Sequence, residues 1–273
     1  MDWKRHLSEA SSRLSQAGIS DASQEAVILL EWASGRSFHD WVIHGGMWSQ
    51  VLDHRFRQAV DRRSKREPLF YITGVREFYG LSLTISPAVL IPRPETEGLV
   101  DAVLRTLNQD EAFLVDVGTG SGAVALAIQS VRPRWRVLGV DISDEALRVA
   151  KGNGERLGLL VAFHHSDLLE AILEPLDAVV ANLPYVPDAF QGEPELAYEP
   201  ATALFGGADG LRFIRRLISE AWAKLKANGY IFLECGIGQA EAISKELLAQ
   251  GFTSVEVQAD LAGIPRVIQG RRL

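Results

Sequence analysis

The chain is poor in the features that mark secreted and membrane proteins. Among its 273 residues there is a single cysteine, Cys235, which excludes an internal disulfide framework. No stretch approaches the roughly 18 consecutive apolar residues that a membrane-spanning helix needs. The opening MDWKRHLSEA has no apolar core of a secretory signal peptide. We therefore expect a cytoplasmic globular protein with no membrane association.

Positive charge is also scarce. The formal net charge is −7, so the chain is not a general nucleic-acid binder. Residues 1–75 carry ten Lys or Arg against nine Asp or Glu, whereas the remainder carries 18 against 26. One basic cluster, HRFRQAVDRRSKRE at 54–67, stands out. It fits either a solvated helix face or a docking surface for an acidic partner or RNA, and both interpretations stay open.

Apolar periodicity divides the chain into three parts. It predicts a small helical domain over 1–67, which we expect to recognise the substrate. Aromatic and β-branched residues in LFYITG and REFYGLSLTIS predict a β-hairpin linker over 68–90. Over 91–273 short apolar strands alternate with helices, which is typical of an α/β domain with a mostly parallel sheet. The predicted strands are 113–117, 136–140, 161–165, 177–181, 230–234, 252–257 and 266–269.

A glycine-rich turn follows the first of these strands, in VDVGTGSGAVALAI at 115–128. Glycines allow a sharp turn and a close ligand approach, and the following helix offers free N–H groups at its start. The candidate binding residues in the turn are Gly118, Thr119, Gly120, Ser121 and Gly122. A glycine-rich turn that serves structure alone is the alternative.

Three acidic residues extend this candidate site. Asp141 ends the next strand, where a carboxylate can accept bonds from both hydroxyls of a ribose. NAD and S-adenosylmethionine both fit that arrangement. Asp116 favours S-adenosylmethionine over NAD, because a carboxylate there would lie near the cationic amino-acid tail of the former rather than the pyrophosphate of the latter. Asp167 either reaches an adenine amino group or caps a helix.

The stretch VANLPYVP at 180–187 follows the fourth strand of the domain and predicts a second site at the same sheet edge. Pro184 holds Leu183 in an extended conformation, so the Leu183 carbonyl and the Asn182 side-chain oxygen can converge as two acceptors. A planar NH2 group is the matching donor, and Tyr185 can lie flat against it. Two acceptors also stabilise the positive charge that develops on such a nitrogen when it is alkylated.

These motifs carry a family resemblance. NLPY resembles the Asn-Pro-Pro-Tyr signature of methyltransferases that modify planar NH2 groups, and with DVGTGSG and DISDEAL it is similar to class I S-adenosylmethionine-dependent enzymes. EPLFYITGVREFYGLSLTISPAVLIPRPETEGLV, YEPATALFGGADGLRFIRRLI and DLAGIPRVIQGRR resemble the HemK/PrmC family of peptide chain release factor N5-glutamine methyltransferases. The resemblance covers roughly 65–273.

The resemblance implies a Rossmann-like class I methyltransferase sheet domain with a small helical bundle and a β-hairpin joint. It implies S-adenosylmethionine as cofactor and, as partners, release factors 1 and 2, whose Gly-Gly-Gln glutamine would receive the methyl group. Gly118 to Gly122, Asp141 and Leu168 would contact the cofactor. Asn182 to Tyr185 would hold the glutamine, with Asn182 near both. A monomer without nucleic-acid partners is expected.

This chain departs from the family pattern in places. Leu183 replaces a usual proline, but its role lies in a backbone carbonyl, which survives the change. Phe70 replaces a frequent glutamine, and Leu168 replaces an aromatic residue found in some members. Arg93 and Glu95 in IPRPETE either line the pocket mouth or belong to a helix start with Pro94 in its first turn.

Alternatives remain at this point. One alternative is an adenine-N6 methyltransferase acting on RNA or DNA, because ribosomal RNA dimethyladenosine enzymes carry the same NLPY tetrapeptide and adenine also presents a planar NH2. The acidic net charge and the joint motif oppose that interpretation. An NAD oxidoreductase or a non-enzymatic adenosine-binding module leaves Asn182–Tyr185 unexplained. No metal site is predicted, because His164 and His165 are adjacent on a strand and point to opposite faces.

Overall fold

The computed structural model describes residues 3–190 and 192–273. The chain forms two compact units. Unit 1 comprises Met1–Val75 and the later segment Glu193–Tyr198, and unit 2 comprises Arg76–Gly192 and Glu199–Leu273. The domain boundaries expected from the sequence (1–67, 68–90 and 91–273) stay a prediction. The two compact units reflect contacts within the folded chain and do not test whether these three ranges are separate domains.

Unit 1 is built from amphipathic helices. In the first helix, Trp3, His6, Ala10 and Leu14 are buried at spacings of three and four residues, as one face of a helix requires. Serines begin two further helices, where Ser37 and Ser49 accept hydrogen bonds from backbone N–H groups three residues on. The helices are α1 (Trp3–Gln16), α2 (Ala22–Ser34), α3 (Phe38–His44), α4 (Gln50–Ser64) and α5 (Leu69–Thr73).

Helix α5 corrects one expectation. The aromatic and β-branched residues of LFYITG predicted a hairpin strand, and that prediction is wrong for Leu69–Thr73. Pro68 precedes the helix, and Gly74 closes it in the left-handed conformation with φ of 76°. This pairing of proline at the start and glycine past the end is a helix signal, and it outweighs strand propensity over so short a segment.

The hairpin itself is confirmed, in a shorter form. Strands β1 (Val75–Phe78) and β2 (Leu81–Thr84) pair in a two-stranded sheet. Tyr79 and Gly80 join them, both with positive φ (50° and 74°), as tight hairpin turns require.

Unit 2 contains a seven-stranded mixed sheet, which confirms the predicted α/β fold. Its spatial order is β5-β4-β3-β6-β7-β9-β8, with β9 antiparallel to both β7 and β8 and the other pairs parallel. The strands are β3 (Phe113–Val117), β4 (Arg136–Asp141), β5 (Ala162–His165), β6 (Leu176–Ala181), β7 (Leu225–Glu234), β8 (Thr253–Ala259) and β9 (Pro265–Arg271).

Helices connect these strands. They are α6 (Glu97–Thr106), α7 (Ala123–Val131), α8 (Asp144–Leu157), α9 (Ala201–Leu204), α10 (Arg212–Lys224) and α11 (Ala240–Gln250), with 3-10 turns at Pro94–Thr96 and, in unit 1, Pro194–Tyr198. Strand β3 is buried along its whole length, as expected for a central strand covered on both faces. The parallel strands β3, β4 and β6 end at one edge, where the two predicted sites meet.

Candidate active site

The turn between β3 and α7 depends on three glycines. Gly118, Gly120 and Gly122 have φ of 71°, 56° and 81°, a region that side chains with a Cβ adopt at a cost. The N–H groups of Gly118 and Thr119 both donate to the Val140 carbonyl, at 2.9 and 3.0 Å. The turn is therefore held against the end of β4 by its own backbone.

Asp116 lies beneath this turn and is buried, with 2% of its surface exposed. Its Oδ2 accepts hydrogen bonds from the Thr119 hydroxyl (2.7 Å) and the Ala125 N–H (3.2 Å). Burial raises the pKa of Asp116 to about 7, although these two bonds work in the opposite direction. The structure thus shows Asp116 bracing the turn, and its contact with a cofactor stays a prediction.

Asp141 anchors the turn from β4. Its Oδ2 accepts from the Gly120 N–H and its Oδ1 from the Ser143 N–H, both at 2.9 Å. Burial raises the pKa of Asp141, and the bonds from Ser143 and Gly120 oppose that rise. Each carboxylate oxygen can accept more than one bond, so capacity for ribose hydroxyls remains.

The NLPY segment lies directly beside the glycine turn. Val117 and Ala181 are partners in the parallel pairing of β3 with β6, so Gly118 and Asn182 are the next residues on adjacent strands. A Cβ placed on Gly118 would lie 3.0 Å from Leu183 Cδ2 and 3.9 Å from the Asn182 carbonyl oxygen. The two sites inferred separately from the sequence therefore form one site.

A glycine segment after α9 supports the backbone of this motif. A Cβ on Gly206 would clash with the Pro184 carbonyl, and one on Gly210 would clash with the Tyr185 carbonyl. The Gln239 side chain donates to the same Tyr185 carbonyl at 2.9 Å. Sequence reasoning missed these supports, although the FGGADG run offered a signal for close backbone approach.

Two further side chains hold the motif's functional groups, and sequence reasoning missed both. Asn182 Nδ2 donates to the Thr96 hydroxyl at 3.0 Å. The Tyr185 hydroxyl donates to Glu234 Oε1 at 3.3 Å. Burial raises the pKa of Glu234 to about 7 and that of Tyr185 above its usual range. Because Nδ2 of Asn182 is occupied, its Oδ1 is the atom left to accept from a ligand.

Comparison with known proteins decides the family. Residues 6–74 match the PrmC N-terminal domain and residues 99–197 match the methyltransferase small domain. The chain is 43% identical over 225 residues to the release factor glutamine methyltransferase of Koribacter versatilis, covering 80% of this chain and 79% of that protein. It is 36% identical to that of Deinococcus radiodurans, covering 100% and 99%. The chain belongs to the release factor glutamine methyltransferase family.

Solved structures share the fold of this methyltransferase. A methyltransferase of Pyrococcus furiosus matches with a TM-score of 0.59 and 18% identity, covering 78% of this chain and 98% of that one. The 16S rRNA methyltransferase RsmC of T. thermophilus, in complex with AdoMet and guanosine, matches with a TM-score of 0.54 and 17% identity, covering 73% and 50%. At these identities the likeness shows a class I methyltransferase fold.

Asp167 and Leu168 follow β5 of the methyltransferase, beside β4. Asp167 is paired with Arg216 at 3.1 Å, and a turn rather than an α-helix follows it, so it does not cap a helix. Leu168 is buried (7% exposed) in a left-handed conformation with φ of 49°. The pairing of Asp141 with His165 brings this segment to the sheet edge of the glycine turn. Their contact with adenine remains a prediction.

The IPRPETE segment, for which the sequence left two interpretations open, forms contacts that stabilise the surrounding structure. Arg93 donates to Glu199 at 2.5 Å, and the buried Glu199 also accepts from the Ile91 N–H at 3.1 Å. Pro94 opens the 3-10 turn that presents Thr96 to Asn182. The segment is thus both a helix start and a support for the motif.

The basic cluster of unit 1 is largely neutralised within that unit. Four of its five arginines form ion pairs with carboxylates, namely Arg57 with Asp53, Arg62 with Glu67, Arg63 with Glu25 and Glu195, and Arg66 with Glu193 and Glu195. Arg63 is buried, with 7% of its side chain exposed. The cluster therefore does not present these charges as a free surface for phosphates.

Two other findings concern residues 3–190 and 192–273. No helix there is both long enough and apolar enough to cross a bilayer. No group of three or more His, Cys, Asp or Glu side chains in this part of the chain could hold a metal ion.

Proposed function

We propose that the chain transfers a methyl group from S-adenosylmethionine to the side-chain nitrogen of the glutamine in the Gly-Gly-Gln motif of bacterial class 1 release factors. The observation that carries this proposal is the hydrogen bond from Asn182 Nδ2 to the Thr96 hydroxyl, which leaves Asn182 Oδ1 as the atom that can accept from a ligand. The relatives named release factor glutamine methyltransferase support the choice of substrate.

S-adenosylmethionine fits the glycine turn. An added Cβ on Gly118 would crowd Leu183, whereas one on Gly120 would have only the Gly118 carbonyl oxygen within 4 Å, so a ligand can approach the backbone of the turn at Gly120. Gly118 to Gly122, Asp141, Asp167, Leu168 and Asn182 would hold the cofactor, with Asp116 beneath them. When bound, the cofactor supplies an activated methyl group on a sulfonium. A structural neighbour whose complex contains AdoMet supports this assignment.

The chain's own residues then prepare the acceptor amide. Asn182 Oδ1 and the Leu183 carbonyl accept hydrogen bonds from the two amide hydrogens, which orients the nitrogen and stabilises its developing positive charge. Pro184 restrains Leu183, and the Tyr185 ring covers the amide plane. No strong general base is needed, because the cationic nitrogen formed by methyl transfer still carries both amide hydrogens, is strongly acidic and loses one of them as a proton to water.

The remaining assignments follow from the substrate. The helical bundle over 1–67 recognises the body of the release factor, and release factors 1 and 2 are both substrates. The enzyme acts as a monomer in the cytoplasm and modifies translation termination without binding nucleic acid directly. The internal ion pairs of the basic cluster support that last point.

The test is methyl transfer from labelled S-adenosylmethionine. Release factor, its Gly-Gly-Ala loop variant and bare ribosomal RNA are offered to the wild-type enzyme, to Asn182→Ala and to a control, Asn108→Ala, at an exposed loop position. We expect label on the wild-type release factor alone, with wild-type and control enzymes alike, and a loss of at least 100-fold in Asn182→Ala. Label on RNA instead would favour adenine-N6 methylation and overturn the proposal.

A further inference from the structure

A buried carboxylate lies behind the NLPY motif. Glu234 ends β7 and is 2% exposed. Its Oε1 accepts from the Tyr185 hydroxyl, and its Oε2 has no aligned hydrogen-bond partner within the described part of the chain. A buried carboxylate oxygen without a hydrogen-bond partner costs folding free energy, so its presence at this position needs a functional explanation.

A buried threonine, Thr96, holds the other polar side chain of the motif. Thr96 is 4% exposed, and its oxygen accepts from Asn182 Nδ2 at 3.0 Å. A hydroxyl has one hydrogen to donate, and here it must point to an acceptor other than Asn182. Glu234 Oε2 has no aligned donor within the described residues and can therefore take that hydrogen, and hydrogen bonding with Thr96 is among the causes that lower the pKa of Glu234.

We propose that Glu234 is a positioning residue that sets the direction of the Thr96 hydroxyl and, through it, the orientation of the Asn182 amide. The inference rests on the proposed function. With Glu234 accepting, Thr96 accepts from Asn182 Nδ2 and Asn182 Oδ1 faces the substrate. With Glu234 donating, the Thr96 hydrogen turns to Asn182, which favours the flipped amide.

The flipped amide is unproductive for a simple reason. Nδ2 would then face the NH2 group of the substrate glutamine, and two donors repel each other where an acceptor is required. The same carboxylate also accepts from Tyr185, so Glu234 holds the two ends of the motif through one group. Pro184 and Leu183 act through their backbone and are not affected by this switch.

The ionisation of Glu234 should be visible near neutral pH. Burial raises its pKa to about 7, and the charge of Glu95 adds to the rise. Thr96, Tyr185 and Arg266, which is itself paired with Asp260, work in the opposite direction. The neighbouring Cys235 stays protonated, because burial raises its pKa to about 12. The active form is the ionised one, so kcat should fall as the pH drops below about 7.

The first test compares Glu234→Gln with a matched control, Glu241→Gln, at an exposed surface carboxylate of α11. We expect kcat for the release factor to fall at least tenfold in Glu234→Gln and to lose its dependence on pH near 7. S-adenosylmethionine affinity by calorimetry should stay within threefold, and the control should match wild type. An unchanged kcat and pH profile in Glu234→Gln would overturn the inference.

The second test keeps the inference open to refutation if Glu234→Gln does not fold. Thr96→Ser retains the hydroxyl and should retain kcat within about threefold, whereas Thr96→Val should lose at least tenfold. If Glu234 acts through Thr96, the losses in Glu234→Gln/Thr96→Val should not add. Equal rates in Thr96→Ser and Thr96→Val would contradict the relay.

Two outcomes separate this inference from the proposed function. Wild-type enzyme that labels no release factor contradicts the function itself. Wild-type activity with an unperturbed Glu234→Gln contradicts only the positioning role. A readout independent of activity is the side-chain NH2 resonance of Asn182 in 15N-labelled protein, which should shift in Glu234→Gln and not in Glu241→Gln.

Discussion

Replacing Gly118 by alanine tests whether the glycine turn and the NLPY motif form one unit. Gly118 has φ of 71°, and a Cβ added there would meet Leu183 Cδ2 at 3.0 Å. The variant therefore carries two separate penalties, one in the backbone and one in packing. We expect lower stability and slower methyl transfer together.

The magnitudes follow from these two contacts. A left-handed conformation costs a residue with a Cβ about 1–2 kcal/mol. Loss of glycine from the unfolded chain returns about 0.4–1 kcal/mol, so the net loss of stability is roughly 1 kcal/mol. Relief of the contact requires Leu183 Cδ2 to move by a few tenths of an ångström, and because the Leu183 side chain is buried in a packed core, we expect its backbone carbonyl to move with it. Since a 1 Å misplacement costs about 100-fold in rate, we expect kcat/KM to fall by about 4- to 10-fold.

Urea unfolding and methyl transfer to release factor measure the two effects, with Gly152→Ala as the matched control. Gly152 lies inside α8, with no atom within 4 Å of an added Cβ and no left-handed backbone. That control should gain roughly 0.5–1 kcal/mol and keep its rate. A Gly118→Ala enzyme with wild-type stability and with kcat/KM within twofold of wild type would show that the glycine turn and the NLPY motif are not coupled in this way.

Two further variants test a buried side chain in unit 2, Asp116, and one in unit 1, Arg63. Asp116→Asn keeps the acceptor oxygen and removes a buried charge. Because the folded pKa of Asp116, about 7, lies above the unfolded value of roughly 3.9, wild type loses stability as the pH rises between these two values. The variant should therefore melt higher than wild type at pH 8, match it near pH 4, and bind S-adenosylmethionine more weakly in calorimetry. Arg63→Ala removes the ion pair of Glu25 and leaves Glu195 paired with Arg66 alone, and it should cost about 3 kcal/mol in urea unfolding at pH 7. Burial raises the pKa of Glu195, but the hydrogen bonds from Arg66 and Arg63 outweigh burial and lower it. In wild type the stabilisation from ionised Glu195 is therefore present above roughly pH 4.3 and is lost as the pH falls through the lower folded pKa. Arg63→Ala should weaken this loss of stability in acid. An Asp116→Asn enzyme with unchanged affinity for the cofactor, or an Arg63→Ala enzyme as stable as wild type, would contradict these assignments.

The alternating pattern of unit 2 was predictable because each of its parts is local. A run such as FLVDV is buried on both faces, and that burial is written in consecutive apolar residues. The glycine turn and Asp141 were likewise predictable, because each lies at the end of a recognisable apolar strand. The short helix Leu69–Thr73 was mistaken for a strand because five residues carry too little periodicity, so aromatic propensity dominated the prediction.

Local patterns in the sequence predict most of the elements, their order along the chain and the place of the NLPY motif at the end of a strand. The side chains that hold this motif become apparent only in the folded protein. Thr96 lies 86 positions before Asn182, Glu234 lies 49 positions after Tyr185, and Glu199 lies 106 positions after Arg93. Local spacing carries no information about such partners, because side chains this far apart in the chain meet only when the tertiary fold brings their segments together.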